Sequence, residues 1–361
     1  MVEIGRTEDG AHIISMAQPY SSFAKALLER QNYPDMRQYP GGPPVRPYDV
    51  TAHTLPLLMG VDVEALEKPW SGPVVRERFS ENQHVESFTA SDTDSWRTIN
   101  RVWKSGGAVW RDRSSGDFSA TQKGPEWKQL RRPRIGLYKS FIPAIDEGWT
   151  RWLLEQFEFS YAILSNKEIQ AGDLDRRYDV LVFPDQPASD LINGYTKSAM
   201  PEEFTGGMEE AGADALRSFL AKGGTLVFLN RSTGYAAQVL GVKAKNVLEG
   251  VPNRDFYAPG SLLHVTLDTV SPLSLGLPRE IAIWSEHSPA WETDSTAIAR
   301  YSDGPILASG WLLGEKLLAG RSALVDARLG NGHVILFGMR PQYRGQSYQT
   351  FKLFFNSLLA Y

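Results

Sequence analysis

Between Arg134 and Asn230, short apolar runs alternate with amphipathic stretches at a spacing that few folds satisfy. The order is IGLYKS, EGWTRWLLEQF, YAILS, YDVLVFPDQ, EEAGADALRSFLAKGG and TLVFLN. YDVLVFPDQ is apolar on both faces, as a central parallel strand covered on two sides must be. Gly223 and Gly224 end a helix and lead directly into the next strand. Asp146 is expected to cap the EGWTRWLLEQF helix, with Trp149, Trp152, Leu153 and Gln156 on one side. Strand, helix, strand, helix, strand at this spacing predicts an α/β fold with a doubly wound, mostly parallel sheet.

The rest of the 361 residues divides around this core. Residues 1–73 read as a helical and loop segment, with a helix over Ser21 to Gln31 followed by the Pro- and Gly-dense YPGGPPVRPYDVTAHTLP, an ordered crossing loop. Residues 74–122 read as a small βαβ-like unit: an extended run around Val85 to Ala90, a helix over Asp92 to Lys104 and a strand from Ala108 to Arg111. Trp96, Ile99, Asn100 and Trp103 share one face of that helix. The polar stretch 123–133 reads as a linker, and 134–361 as the main domain. Within it, a β-rich insertion of about 242–330 carries SLLHVTL, IAIWSE, AIARYS, ILASGWL and SALVDARL. A last strand, HVILFGM, precedes a closing helix from Tyr348 to Leu359.

A net charge of −4, with Lys and Arg scattered, gives no attraction to phosphate backbones, so nucleic acid is not an expected partner. No apolar run approaches a membrane span, and the opening residues carry no basic start followed by an apolar stretch. The absence of cysteine excludes disulfides, thiolate nucleophiles and Cys-based metal sites, without choosing a compartment.

RIGLYKS, DEGWTRWLLEQ, YDVLVFPDQ, AKGGTLVFLN, SGWLLGE and GHVILFGMRPQYRGQ resemble the C-terminal region of bacterial proteins that begin with a zinc carboxypeptidase A-type domain. MAQPYSSFAKALLERQNYPD, followed by PYDVTAHTLPLLMGV, resembles the segment joining that peptidase to its C-terminal module. The resemblance implies relatives that are peptidases and are exported. A peptidase of this type holds zinc through H-x-x-E and a distant His. None of His12, His53, His84, His264, His287 and His333 has Glu three residues on. His84 and Glu86 come nearest, and as a strand pair they read as solvated. The expectation is no metal, no cofactor and no peptidase site.

From Arg134 onward the chain is similar to the class I glutamine amidotransferase-like (flavodoxin-like) fold. That resemblance implies a Cys on a sharp turn after a central strand and a late His and Glu. Here the turn reads LNRSTG, with Asn230, Arg231 or Ser232 at the nucleophile's place, and the late segment reads GMRPQ, with Arg340 and Gln342 in place of His and Glu. Acyl transfer needs a nucleophile, a base and a group orienting the base. A guanidinium cannot be the base, and an amide cannot stabilise an imidazolium.

Two readings remain. In the first, the chain is a non-catalytic ligand-binding or association module. Asp185, Gln186, Asn230, Arg231, Arg340, Gln342 and Arg344, all just after strands, would line a crevice for a small anionic ligand or peptide. The plainer view is that they satisfy loop backbone. In the second, a hydrolase uses a rearranged site around Ser232, Glu147 and Asp185, against which Ser232 reads as a helix cap and Glu147 as a first-turn residue suited to the helix dipole. Asp185 is the expected partner of Arg340. Trp149, Trp152, Trp284, Trp291 and Trp311 read as core or interface, and a homodimer through Trp-rich faces is a third expectation.

Overall fold

The computed structural model describes residues 2–76 and 86–359. The main body is one mixed sheet of 12 strands. Nine lie on a continuous path: Glu280–Glu286, Pro259–Leu267, Thr296–Tyr301, Ser322–Leu329, Gly332–Phe337, Thr225–Leu229, Val180–Phe183, Ile135–Tyr138 and Tyr161–Leu164. The last five are parallel to one another, and every pairing on the other side of Gly332–Phe337 is antiparallel. The expectation of a mostly parallel sheet is corrected here. The β-rich insertion does not form a separate layer but extends the same sheet, because Ser322–Leu329 turns through Gly330 and Asn331 and pairs back on Gly332–Phe337 as a hairpin.

Strand alternation sorts the core into two layers, since successive side chains point to opposite faces. Val180, Val182, Val227, Ile335 and Phe337 pack with Leu153, Leu154, Phe351 and Phe355 from the Ile145–Gln156 and Tyr348–Leu359 helices. Leu181, Phe183, Leu226, Phe228, Val334 and Leu336 pack with Leu216, Phe219 and Leu220 of the Glu209–Ala221 helix. Lys222 caps that helix, and Gly223 follows at φ +90°, a conformation that costs glycine no Cβ clash. The Ile145–Gln156 helix buries Asp146, Thr150, Leu153 and Leu154, while Gln156 is exposed. The expected face was set by its tryptophans, and the true stripe lies beside them.

The segment before the sheet wraps its antiparallel half. Val50, Ala52 and Leu58 pack on Leu262, Ala282, Trp284 and Tyr343, and the Thr51 and Ala52 N–H groups both donate to the Gly260 carbonyl. Helices form over Ser21–Leu28 and Leu55–Met59. Residues 77–85, which include His84 and the start of the expected Val85 run, lie outside the described residues. Glu86 to Thr89 form no strand. The Ser95–Lys104 helix buries Trp96, Ile99, Asn100 and Trp103 as expected. The strand after it, Val109–Asp112, pairs antiparallel with Phe118–Ser119 and Trp127–Leu130, so the unit is a three-stranded antiparallel sheet rather than βαβ. One of its strands lies within the stretch that reads as linker.

Candidate functional site

The carboxyl ends of four parallel strands converge on one corner. Asp185 and Gln186 follow Val180–Phe183, and Asn230 and Arg231 follow Thr225–Leu229. Arg340 and Gln342 follow Gly332–Phe337, and Asp146 sits in the first turn of the helix after Ile135–Tyr138. The insertion adds Glu286, the last residue of an antiparallel strand. It arrives because the chain beyond it crosses Gly338 closely, where a Cβ would stand 2.5 Å from the Pro289 carbonyl oxygen.

Arg340 is the centre. Its Nε donates to Asp185 Oδ2 at 2.9 Å, the expected pair, and its Nη1 donates to Glu286 Oε2 at 2.9 Å. Asp146 Oδ2 lies 3.7 Å from Nε. Asp185 is wholly buried and is held a second time by Arg231, through its backbone N–H at 3.1 Å, its Nε at 2.8 Å and its Nη2 at 3.2 Å. Pro341 confines Arg340 to extended backbone and so fixes where the guanidinium starts. Arg340 is 15% exposed at its side chain and Glu286 23%, so water reaches only the rim.

The corner gathers three carboxylates around two guanidiniums, and burial acts on Asp185, Arg340 and Asp146. Burial pushes Asp185 up, but the Arg231 hydrogen bonds and the Arg340 charge outweigh it and hold its carboxyl below the usual range. Burial weakens the charge of Arg340, yet Asp146, Asp185 and Glu286 prevail and raise its pKa. For Asp146 the compensation falls short. Burial pushes it up to about 6, with the charges of Asp185 and Glu286 adding to the rise and those of Arg340 and Arg231 opposing it.

The remaining sequence candidates take structural partners. Asn230 stands at φ +53°, the sharp position of the turn, and its Nδ2 donates to the Glu286 carbonyl at 3.3 Å. Ser232 is fully buried. Its hydroxyl accepts from the Leu229 N–H at 2.9 Å and lies 2.9 Å from the Phe183 carbonyl and 2.8 Å from that of Leu229. It therefore ties two strand ends together; no side-chain cap forms at the helix it precedes. Glu147 is bound by Arg151 one turn on. Gln342 Nε2 reaches Thr150 Oγ1 at 3.1 Å and Asp146 Oδ1 at 3.4 Å. Gln186 donates to the Ile142 carbonyl at 3.2 Å, apart from the cluster. Arg344 leaves the corner for a two-pronged pair with Asp49, at 2.9 and 2.7 Å, which fastens the N-terminal segment to the sheet.

Sequence reasoning took Asp146 for a cap and missed Glu286. The cap position is Ala144, and Asp146 turns inward to the cluster. Its signal was available, since an acid one turn from Thr150 on a buried stripe needs a partner. Glu286 had none, because its place depends on how the insertion pairs. Trp284, Trp291 and Trp311 are core, while Trp149 and Trp152 form a half-buried edge-to-face pair 6.0 Å apart. Among the described residues no group of three or more His, Cys, Asp or Glu could hold a metal, and no helix is long and apolar enough to cross a membrane.

No family model matches the chain, and no curated protein matches it. Solved structures similar to it include a ThuA-like protein from Bacteroides uniformis, at 9% identity over 66% of this chain and 92% of that one, with a TM-score of 0.39. They include a GMP synthase component from Thermoplasma acidophilum, at 12% identity over 63% and 93%, with a TM-score of 0.40. A Bacillus circulans β-galactosidase is similar at 14% identity over 62% of this chain but 31% of its own, with a TM-score of 0.35. At these scores the likenesses carry no argument about activity.

Proposed function

We propose that the chain is a non-catalytic binding module, related to the C-terminal part of carboxypeptidase-type proteins, whose reaction corner has become a structural ion-pair cluster. The observation that supports this most is the engagement of Arg340 by Asp185 and Glu286 at 2.9 Å each, where an amidotransferase would keep its base. A permanently charged guanidinium takes no proton from a nucleophile. Asp146, at about 6, has the protonation behaviour of a general acid or base, but the Thr150 hydroxyl, one turn on, donates to the Asp146 backbone carbonyl at 2.7 Å.

In this reading, binding or association happens elsewhere than at the strand ends, whose charges satisfy one another. A panel of glutamine, ester and peptide substrates tests it. The expected result is no turnover above background. Turnover of any of them that disappears in Ser232→Ala would install the hydrolase built on Ser232, Glu147 and Asp185 instead. A homodimer is tested separately by light scattering across protein concentration, where a mass of twice the chain supports it.

A further inference from the structure

A cleft of about 510 Å³ opens on another face, between the Tyr348–Leu359 helix, the Pro272–Ser274 turn, the turn after Val109–Asp112 and the end of the Leu55–Met59 helix. That volume is in the range of small-molecule sites. Its polar lining includes Ser91, Ser115, Thr269, Ser274, Gln349 and Lys352. Gln349 and Lys352 are three residues apart on one helix and so share a face.

Three features single it out. Lys352 is 8% exposed, yet its Nζ donates only to the Ser91 carbonyl, at 2.7 Å, and forms no ion pair among the described residues. Behind the cleft, Arg111 is 7% exposed and also meets neutral partners: Nε donates to the Gly116 carbonyl at 2.9 Å, and Nη2 to Asn356 Oδ1 at 2.7 Å. The Gln349 amide, on the same wall, makes no hydrogen bond among the described residues. A buried cation without a counter-charge is costly. An anionic, hydroxylated ligand would supply that charge and take up the free amide.

The surrounding carboxylates limit its charge. Asp92 and Asp117 act on Lys352 and Arg111 through space, and Asp112 holds the Ser114–Ser115 turn through their N–H groups at 2.8 and 2.9 Å. Burial draws the pKa of both cations down, that of Arg111 to about 10, which a neighbouring anion would reverse. A dianion such as phosphate would meet these three acids with a single lining cation.

We propose that this cleft binds a small polyhydroxylated monocarboxylate, its carboxylate on Lys352 and its hydroxyls on Gln349. The proposal rests on the binding-module reading and names the class of ligand.

Titration calorimetry with D-gluconate tests it, with D-glucose and inorganic phosphate as controls. Saturable gluconate binding is expected, at least about tenfold tighter than either control. Lys352→Met should weaken it by about tenfold or more. Gln349→Ala removes a half-buried amide that has no partner among the described residues, so it should leave unfolding nearly unchanged and still weaken gluconate several-fold, which keeps the test meaningful if Lys352→Met fails to fold. No saturation by about 10 mM gluconate, equal binding of glucose or phosphate, or binding untouched by Gln349→Ala would each overturn the site. Gluconate recovered unchanged by NMR separates the two claims. Its consumption would sink the non-catalytic reading, whereas absent binding without turnover would sink only the cleft.

Discussion

Replacing Arg340 by Met keeps much of the side-chain volume and removes the charge on which three carboxylates depend. Breaking a buried ion pair typically costs about 3–5 kcal/mol, because the remaining partner stays charged and uncompensated. Here the loss is unequal. Asp185 keeps three hydrogen bonds from Arg231, and Glu286, at 23% exposure, can take up water. Asp146 keeps only the weak contact with Gln342. We therefore expect Arg340→Met to cost about 4 kcal/mol at pH 7.5. The sign of its pH dependence follows from Asp146. Its folded pKa already lies near 6, above the ordinary 3.8, and loss of Arg340 raises it further. The folded variant then binds more protons than the unfolded chain, so its stability rises as pH falls from 7.5 toward 5. The cost should shrink over that range by about 1–2 kcal/mol. Urea unfolding followed by tryptophan fluorescence at pH 7.5 and 5.0, with midpoint and slope fitted separately, reads this directly. A cost below about 1 kcal/mol at pH 7.5, or one that grows on acidification, would show that the cluster does not hold the corner together.

Asp146→Asn should act in the opposite direction. The gap between about 6 and 3.8 corresponds to about 3 kcal/mol of destabilisation, fully present above pH 6 and absent below about pH 4. The variant should therefore be more stable than the parent at pH 7.5 by about 1–3 kcal/mol and equal to it near pH 4, as thermal melts at the two pH values would register. Ser232→Ala should destabilise by about 1–3 kcal/mol, because the Leu229 N–H loses a buried acceptor, and covalent serine probes should fail to label the parent protein. Labelling at Ser232 would contradict the structural role. Glutamine hydrolysis should be undetectable in an ammonia-release assay. Elemental analysis should find no stoichiometric zinc; about one zinc per chain, lost on His84→Ala, would reverse that expectation.

Local pattern made much of this fold legible. The Tyr348–Leu359 helix has its expected bounds, and the parallel strands are those the apolar runs marked. These elements declare themselves through periodicity, which depends only on neighbours in sequence. The insertion's strands were also visible as runs, but whether they build a second sheet or extend the first depends on the hairpin through Gly330 and Asn331, and periodicity says nothing of partners. The small N-terminal unit failed for the same reason. Its helix was legible, whereas Phe118–Ser119 is too short to show an alternation, and Trp127–Leu130 is half exposed and polar enough to pass for a linker.

The corner divides along the same line. Arg340 and Asp185 could be paired from sequence because parallel strands align their carboxyl ends, so residues just past each strand meet whatever the rest of the chain does. Glu286 comes from an antiparallel strand running into that edge, and the pairing of that strand together with the close passage over Gly338 places it there. Its arrival changes what the corner is. With Asp185 alone between them, Arg340 and Arg231 would keep a net positive charge and could receive an anionic ligand. With Glu286 on its second nitrogen and Asp146 behind it, the cation is more than neutralised, and any further anion would have to displace a carboxylate already in place. The long-range contact that sequence could not supply therefore turns a candidate anion site into a closed ion-pair cluster.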